Sequence, residues 1–119
     1  MAKPNKKFLV TYHMNATARK KAARMQKDMT PEMQQAAMQG WMAWAEKCGD
    51  SLVEMGAPLG GTLKIDASGA APSNRRGISG YSIVQAKSIA GAKKLFKKHP
   101  HLSWVDAGCD IEIHEMMPM

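Results

Sequence analysis

The hydrophobic period of the chain changes twice. Residues 6–14, KKFLVTYHM, set Phe8, Val10 and Tyr12 against Leu9, Thr11 and His13, and residues 109–116, CDIEIHEM, set Ile111 and Ile113 against Glu112 and His114. A period of two sends alternate side chains to opposite faces of a strand. Between these ends Met33, Ala37, Trp41, Trp44 and Cys48 recur at spacings of four, four, three and four, one stripe of a helix facing a core. Thr30 is placed to cap that helix, Pro31 suits its first turn, Glu32 favours its dipole, and Gly49 closes it.

The remaining segments complete the order. SLVEMGAPLGGTLKID reads as a strand interrupted by Gly56, Pro58, Gly60 and Gly61, ASGAAPSNRRG as a polar turn or loop, and ISGYSIVQAKS as a further strand. SIAGAKKLFKKHP caps on Ser88, places Ile89, Ala92 and Phe96 on one face, and stops at Pro100. The stretch NATARKKAARMQKDM after the first strand is rich in helix formers but has little apolar face beyond Met25 and Met29. It reads as a short exposed helix or loop, with Asn15-Ala16-Thr17 as its cap. The order is β-α-β-β-α-β, the ferredoxin-like split arrangement of α+β domains. The expectation is an antiparallel sheet of order 4-1-3-2 with both helices on one face. Glu112 and His114 then point to the other face, which a second copy covers to give a homodimer.

The 119 residues suit one domain spanning 1–119, in which residues 14–29 form a basic insertion. The net charge of +7 is local, because residues 1–27 carry eight of the 17 Lys and Arg side chains and none of the 10 acids. A polyanion such as nucleic acid is therefore a partner for that end alone, and the aromatics that interleave with charge in a single-strand platform are missing there. No apolar run reaches membrane length, and the start MAKPNKK lacks the apolar core of a signal peptide, so the expectation is a cytoplasmic protein with no membrane partner. Cys48 and Cys109 stand alone, without the spacing of a structural zinc site, and no Walker or Rossmann glycine pattern announces a cofactor.

Polar residues far apart in sequence are expected to converge at one end of such a sheet. The end of the first strand carries His13, the end of the second helix His99 and His101, the approach to the last strand Asp106, and the loop between the middle strands Arg75 and Arg76. An imidazole oriented by a carboxylate supports acid–base chemistry, so His13, His99 and Asp106 are the catalytic candidates. His101, Arg75, Arg76 and His114 are the ligand-binding candidates. The same histidines also read as a helix end broken by Pro100, or, with weak spacing, as metal ligands.

At this point the segments KKFLVTYH, GDSLVEMGAPLGG, SGYSIVQAKSIAGAKKLFKKHP and IEIHEMMPM resemble the YCII-related family, especially its relatives with a DGPF-type motif. The resemblance implies a dimeric α+β barrel in which two sheets pack face to face. Some members are thought to pair a histidine of the first helix with an aspartate directly before the proline that ends the second. Here no histidine occurs between His13 and His99, the pre-proline position is His99 itself, and SNRRGIS stands where DGPF would be. Three functions are in view: a small-molecule-binding dimer using histidine acid–base chemistry, a non-catalytic interaction module with a basic N-terminal segment on a polyanion, and a purely structural dimer.

Overall fold

A computed structural model describes residues 5–59, 63–72, 78–97, 99–104 and 109–117. Strand β1 (Lys6–Met14) lies inside a four-stranded antiparallel sheet, between β5 (Ile78–Ala86) and β6 (Cys109–Glu115), and β2 (Leu52–Glu54) pairs with the other side of β5. The order is β2-β5-β1-β6. In register, Phe8 faces Val84 and Glu115, Val10 faces Ser82 and Ile113, and Tyr12 faces Gly80 and Ile111. The molecule is of mixed α+β class.

The alternation of β1 sets the two faces. Phe8, Val10 and Tyr12 are buried with Val84, under Trp44 and Cys48 of α2 (Pro31–Cys48) and under Ala92 of α3 (Ile89–Lys94) and Phe96 just beyond it. The Trp44 indole donates to the Leu95 carbonyl at 2.7 Å, which ties the end of α2 to the end of α3. Helix α2 is capped by Thr30, whose hydroxyl accepts from the Met33 amide, and Gly49 closes it with φ of 55°. Its stripe reaches the core only in the last turns: Met33 is 48% exposed and Ala37 is exposed, while Trp44 and Cys48 are buried. Ile89, placed on the inner face of α3 by its spacing, is likewise exposed.

Helix α1 (Ala16–Lys27) is capped by the Asn15 carboxamide and rests on Met14 through Ala18, with Ala22 and Cys109 against that contact. The segment expected to form one interrupted strand divides instead. Leu52–Glu54 joins the sheet, Ala57–Leu59 stays beside β5 through the Pro58–Gly80 bridge and the Tyr81–Ala57 and Leu59–Ser79 backbone bonds, and β3 (Leu63–Asp66) pairs with β4 (Gly69–Pro72) as a separate hairpin, so part of the expected loop is strand. Gly56 marks the interruption beside β5: its φ is 78°, and a Cβ there would overlap the Tyr81 carbonyl, so only glycine lets the chain pass this close before Pro58 pairs with Gly80. Pro100 does not simply stop a helix. It opens α4 (Pro100–Trp104), where its missing N–H costs nothing in a first turn.

Candidate functional site

The histidine-rich end is core rather than a solvent-filled mouth. His99 has no exposed surface and sits among four aromatic rings. It stacks on Tyr12 at 5.2 Å, meets Trp41 and Trp44 nearly edge-on at 4.6 and 4.5 Å, and lies 5.5 Å from Phe96. Its Nδ1 accepts the His101 amide at 3.0 Å and so caps the turn that Pro100 begins. Burial, helped by the neighbouring His101, pushes the His99 imidazole down to about 3, and the ring is neutral near neutrality. In the neutral ring with Nδ1 as acceptor the proton rests on Nε2, which is buried without a hydrogen-bond partner among the described residues. The expectation of a solvent-accessible His99 sharing a pocket with His13 is corrected: a site walled by Tyr12, Trp41, Trp44 and Phe96 excludes the water that proton exchange needs.

His101 does reach β1, but through the backbone. It is 4% exposed, and its Nε2 donates to the His13 carbonyl at 2.9 Å. Burial lowers its pKa, opposed by the carbonyls of His13 and Asp110. His13, His99 and His101 are thus gathered at one end of the sheet, with the last two committed to packing. Asp106, Arg75 and Arg76 lie outside the described residues.

The other half of the β1 alternation builds a different constellation. Thr11 and His13 share the face away from the helices with Glu112 and His114 of β6 and with Tyr81 of β5, since Thr11 pairs with both Glu112 and Tyr81. The Thr11 hydroxyl lies 2.7 Å from His13 Nε2 and 3.4 Å from His114 Nε2. Glu112 Oε1 lies 3.6 Å from His13 Nε2 and 3.4 Å from His114 Nε2. Thr11 is 8% exposed although its face is open, because both imidazoles cover it. On the same face the Tyr81 hydroxyl donates to Glu54 at 2.6 Å, a bond that pushes the phenol pKa up. A hydroxyl between two imidazoles can accept from one and donate to the other, and a carboxylate beside both stabilises whichever is charged. The arrangement is chemically suited to moving a proton across the sheet surface. Among the described residues no three His, Cys, Asp or Glu side chains are arranged to hold a metal ion.

Sequence reasoning named His13 and His114 but missed Thr11, Glu112, Tyr81 and Glu54 as members of a site. The signal was present as two matched pairs, Thr11-x-His13 and Glu112-x-His114, each on one face of its strand. Only the β1–β6 register makes them one cluster. Fold and site together define an α+β protein with a four-stranded antiparallel sheet, helices on one face and a two-histidine cluster on the other. No family model matches the chain, and no curated protein matches it as a relative.

Proposed function

We propose that this chain is a small-molecule-binding protein of the ferredoxin-like, dimeric α+β-barrel type, similar to the YCII-related family, whose ligand meets the Thr11, His13, Glu112 and His114 cluster. The carrying observation is that these four side chains, from two strands about a hundred residues apart in sequence, approach one another within 3.6 Å. Supporting the architecture, the order β6-β1-β5-β2 is that of a split βαβ sheet once the β3–β4 hairpin is set aside as an insertion. The chemistry available is proton transfer between His13 and His114 through the Thr11 hydroxyl, with Glu112 as the charge partner. The test is a thermal-shift screen of small molecules, repeated on His13→Asn and His114→Asn. A ligand of the native state raises apparent stability by mass action. At least one hit should lose its shift in both variants while the unliganded melting temperature stays near that of the parent, and a screen in which every hit keeps its shift in both variants would remove the reading.

A second reading rests on α1, whose 12 residues hold Arg19, Lys20, Lys21, Arg24 and Lys27 and no acid. This reading makes the chain an interaction module that holds a polyanion there. Its binding should weaken steeply with salt through counterion release, and salt-insensitive binding would dismiss it.

A further inference from the structure

On the helix side of the sheet, beside β6, a groove of about 660 Å³ runs between that strand and the α3 and α4 region. Phe96, Leu102, Ile111 and Ile113 form its apolar surface, and Lys93, Lys94 and Lys97 stand along it. Ile111 and Ile113 back onto the hydrophobic core, whereas Leu102 keeps 43% of its surface exposed, so apolar surface is left uncovered among the described residues. The volume falls in the range of sites that enclose a small organic molecule.

Charge decides which molecule. The lining holds one carboxylate, Asp110, against three ammonium groups, and none of those lysines forms an ion pair with a carboxylate among the described residues. A lysine lays its methylenes along apolar surface and carries its charge to the rim. A neutral apolar ligand would leave those charges unused, and a bare inorganic anion would leave the apolar floor uncovered. The geometry points to a binding site for a small amphiphilic anion, an alkyl or aryl chain ending in a carboxylate, with the chain on Phe96, Leu102 and Ile113 and the carboxylate among Lys93, Lys94 and Lys97. The site is separate from the Thr11–His13–Glu112–His114 cluster, which occupies the opposite face.

Calorimetry on the full chain with dodecanoate below its micelle concentration tests this, with dodecyltrimethylammonium and dodecyl maltoside as tails of other charge. Dodecanoate should bind, with methyl shifts at Leu102, Ile111 and Ile113 and none at Leu9 or Ile83 on the other face. Lys93→Glu/Lys97→Glu should weaken it by roughly tenfold or more, and Leu102→Asn should also weaken it. His114→Asn should leave it unchanged, which separates this site from the proposed function. Equal binding of the maltoside, an unaltered affinity in the lysine variant, or shifts confined to the Leu9 and Ile83 face would overturn the assignment. So would a lysine variant that changes the mass in sedimentation without changing the affinity, since the groove would then belong to a second copy.

Discussion

His99 shows how one buried imidazole can stabilise a core at neutral pH and weaken it in acid. Its folded value of about 3 lies below the roughly 6.5 of a free imidazole. The unfolded chain therefore binds the proton first, and the stability contributed is complete above about pH 6.5 and lost as pH falls toward 3. His101, lowered in the same direction by burial, adds to the slope. The unfolding free energy, and with it the melting temperature, should fall through this window, the former by no more than about 1.4 kcal/mol per pH unit for each histidine. In His99→Phe the slope should shrink, while the lost cap costs about 0.5–2 kcal/mol at pH 7. An unchanged acid limb in that variant would show that His99 is not the group responsible. A second chain of buried bonds runs from Tyr12, whose hydroxyl lies 2.7 Å from Ser82 Oγ, to the Met55 carbonyl, to which Ser82 donates at 2.6 Å. Because Ser82 gives its only proton to Met55, Tyr12 is the donor in the first bond. Burial pushes the Tyr12 phenol up to about 12. Ser82→Ala strands both a donor and an acceptor and should cost about 1–3 kcal/mol in denaturant unfolding. Tyr12→Phe, which leaves one acceptor short, should cost less. The reverse order would contradict the donor assignment.

At the scale of elements, local chemistry and tertiary packing separate cleanly. Helix α1 owes its start to the Asn15 carboxamide, which accepts the Ala18 amide at 2.8 Å, and its attachment to little more than Ala18 against Met14. Asn15→Ala should therefore speed amide exchange throughout α1 and leave exchange in β1, β5 and α2 unchanged; slowed or equal exchange in α1 would mean that the cap contributes little. The caps at Asn15, Thr30 and Ser88 were legible because each is a polar side chain next to a helix-forming run, an effect confined to three residues. The inner face of α2 was legible only in part. Its periodicity specifies a stripe, but where along that stripe the sheet ends is a matter of β1 and β5, so Met33 and Ala37 stay outside while Trp44 and Cys48 are covered. The same limit hid the β3–β4 hairpin, whose strand residues carry no alternation facing a core.

The whole molecule is more extended than its length requires. Its Cα radius of gyration is 16.1 Å with extents of 51 × 46 × 22 Å, against about 13–14 Å for a compact domain of this size. The extension goes with apolar side chains left in solvent: Leu63 and Ile65 of the hairpin are 61% and 77% exposed, and Met38 and Met42 of α2 are 59% and 52% exposed. A two-stranded hairpin has marginal stability alone. These surfaces, with the open sheet face, favour the proposed second copy. Sedimentation at micromolar concentration should give about twice 13.0 kDa. Ile83→Glu, half-buried on the open face, should shift the mass toward the monomer, and a parent chain that sediments as a monomer would end the dimeric reading.

The sequence by itself determined what nearest-neighbour chemistry controls: the alternation of β1 and β6, the caps, the α+β class, and which of their side chains share a face. The function of each histidine was decided only by tertiary structure. His99 and His13 look alike in a sequence, each an imidazole at the end of a secondary element. One is enclosed by Tyr12, Trp41, Trp44 and Phe96 and held neutral, and the other lies against Thr11 and Glu112 beside open solvent. Desolvation and hydrogen-bond geometry depend on atoms brought in from distant segments, and no local pattern encodes which segments those are.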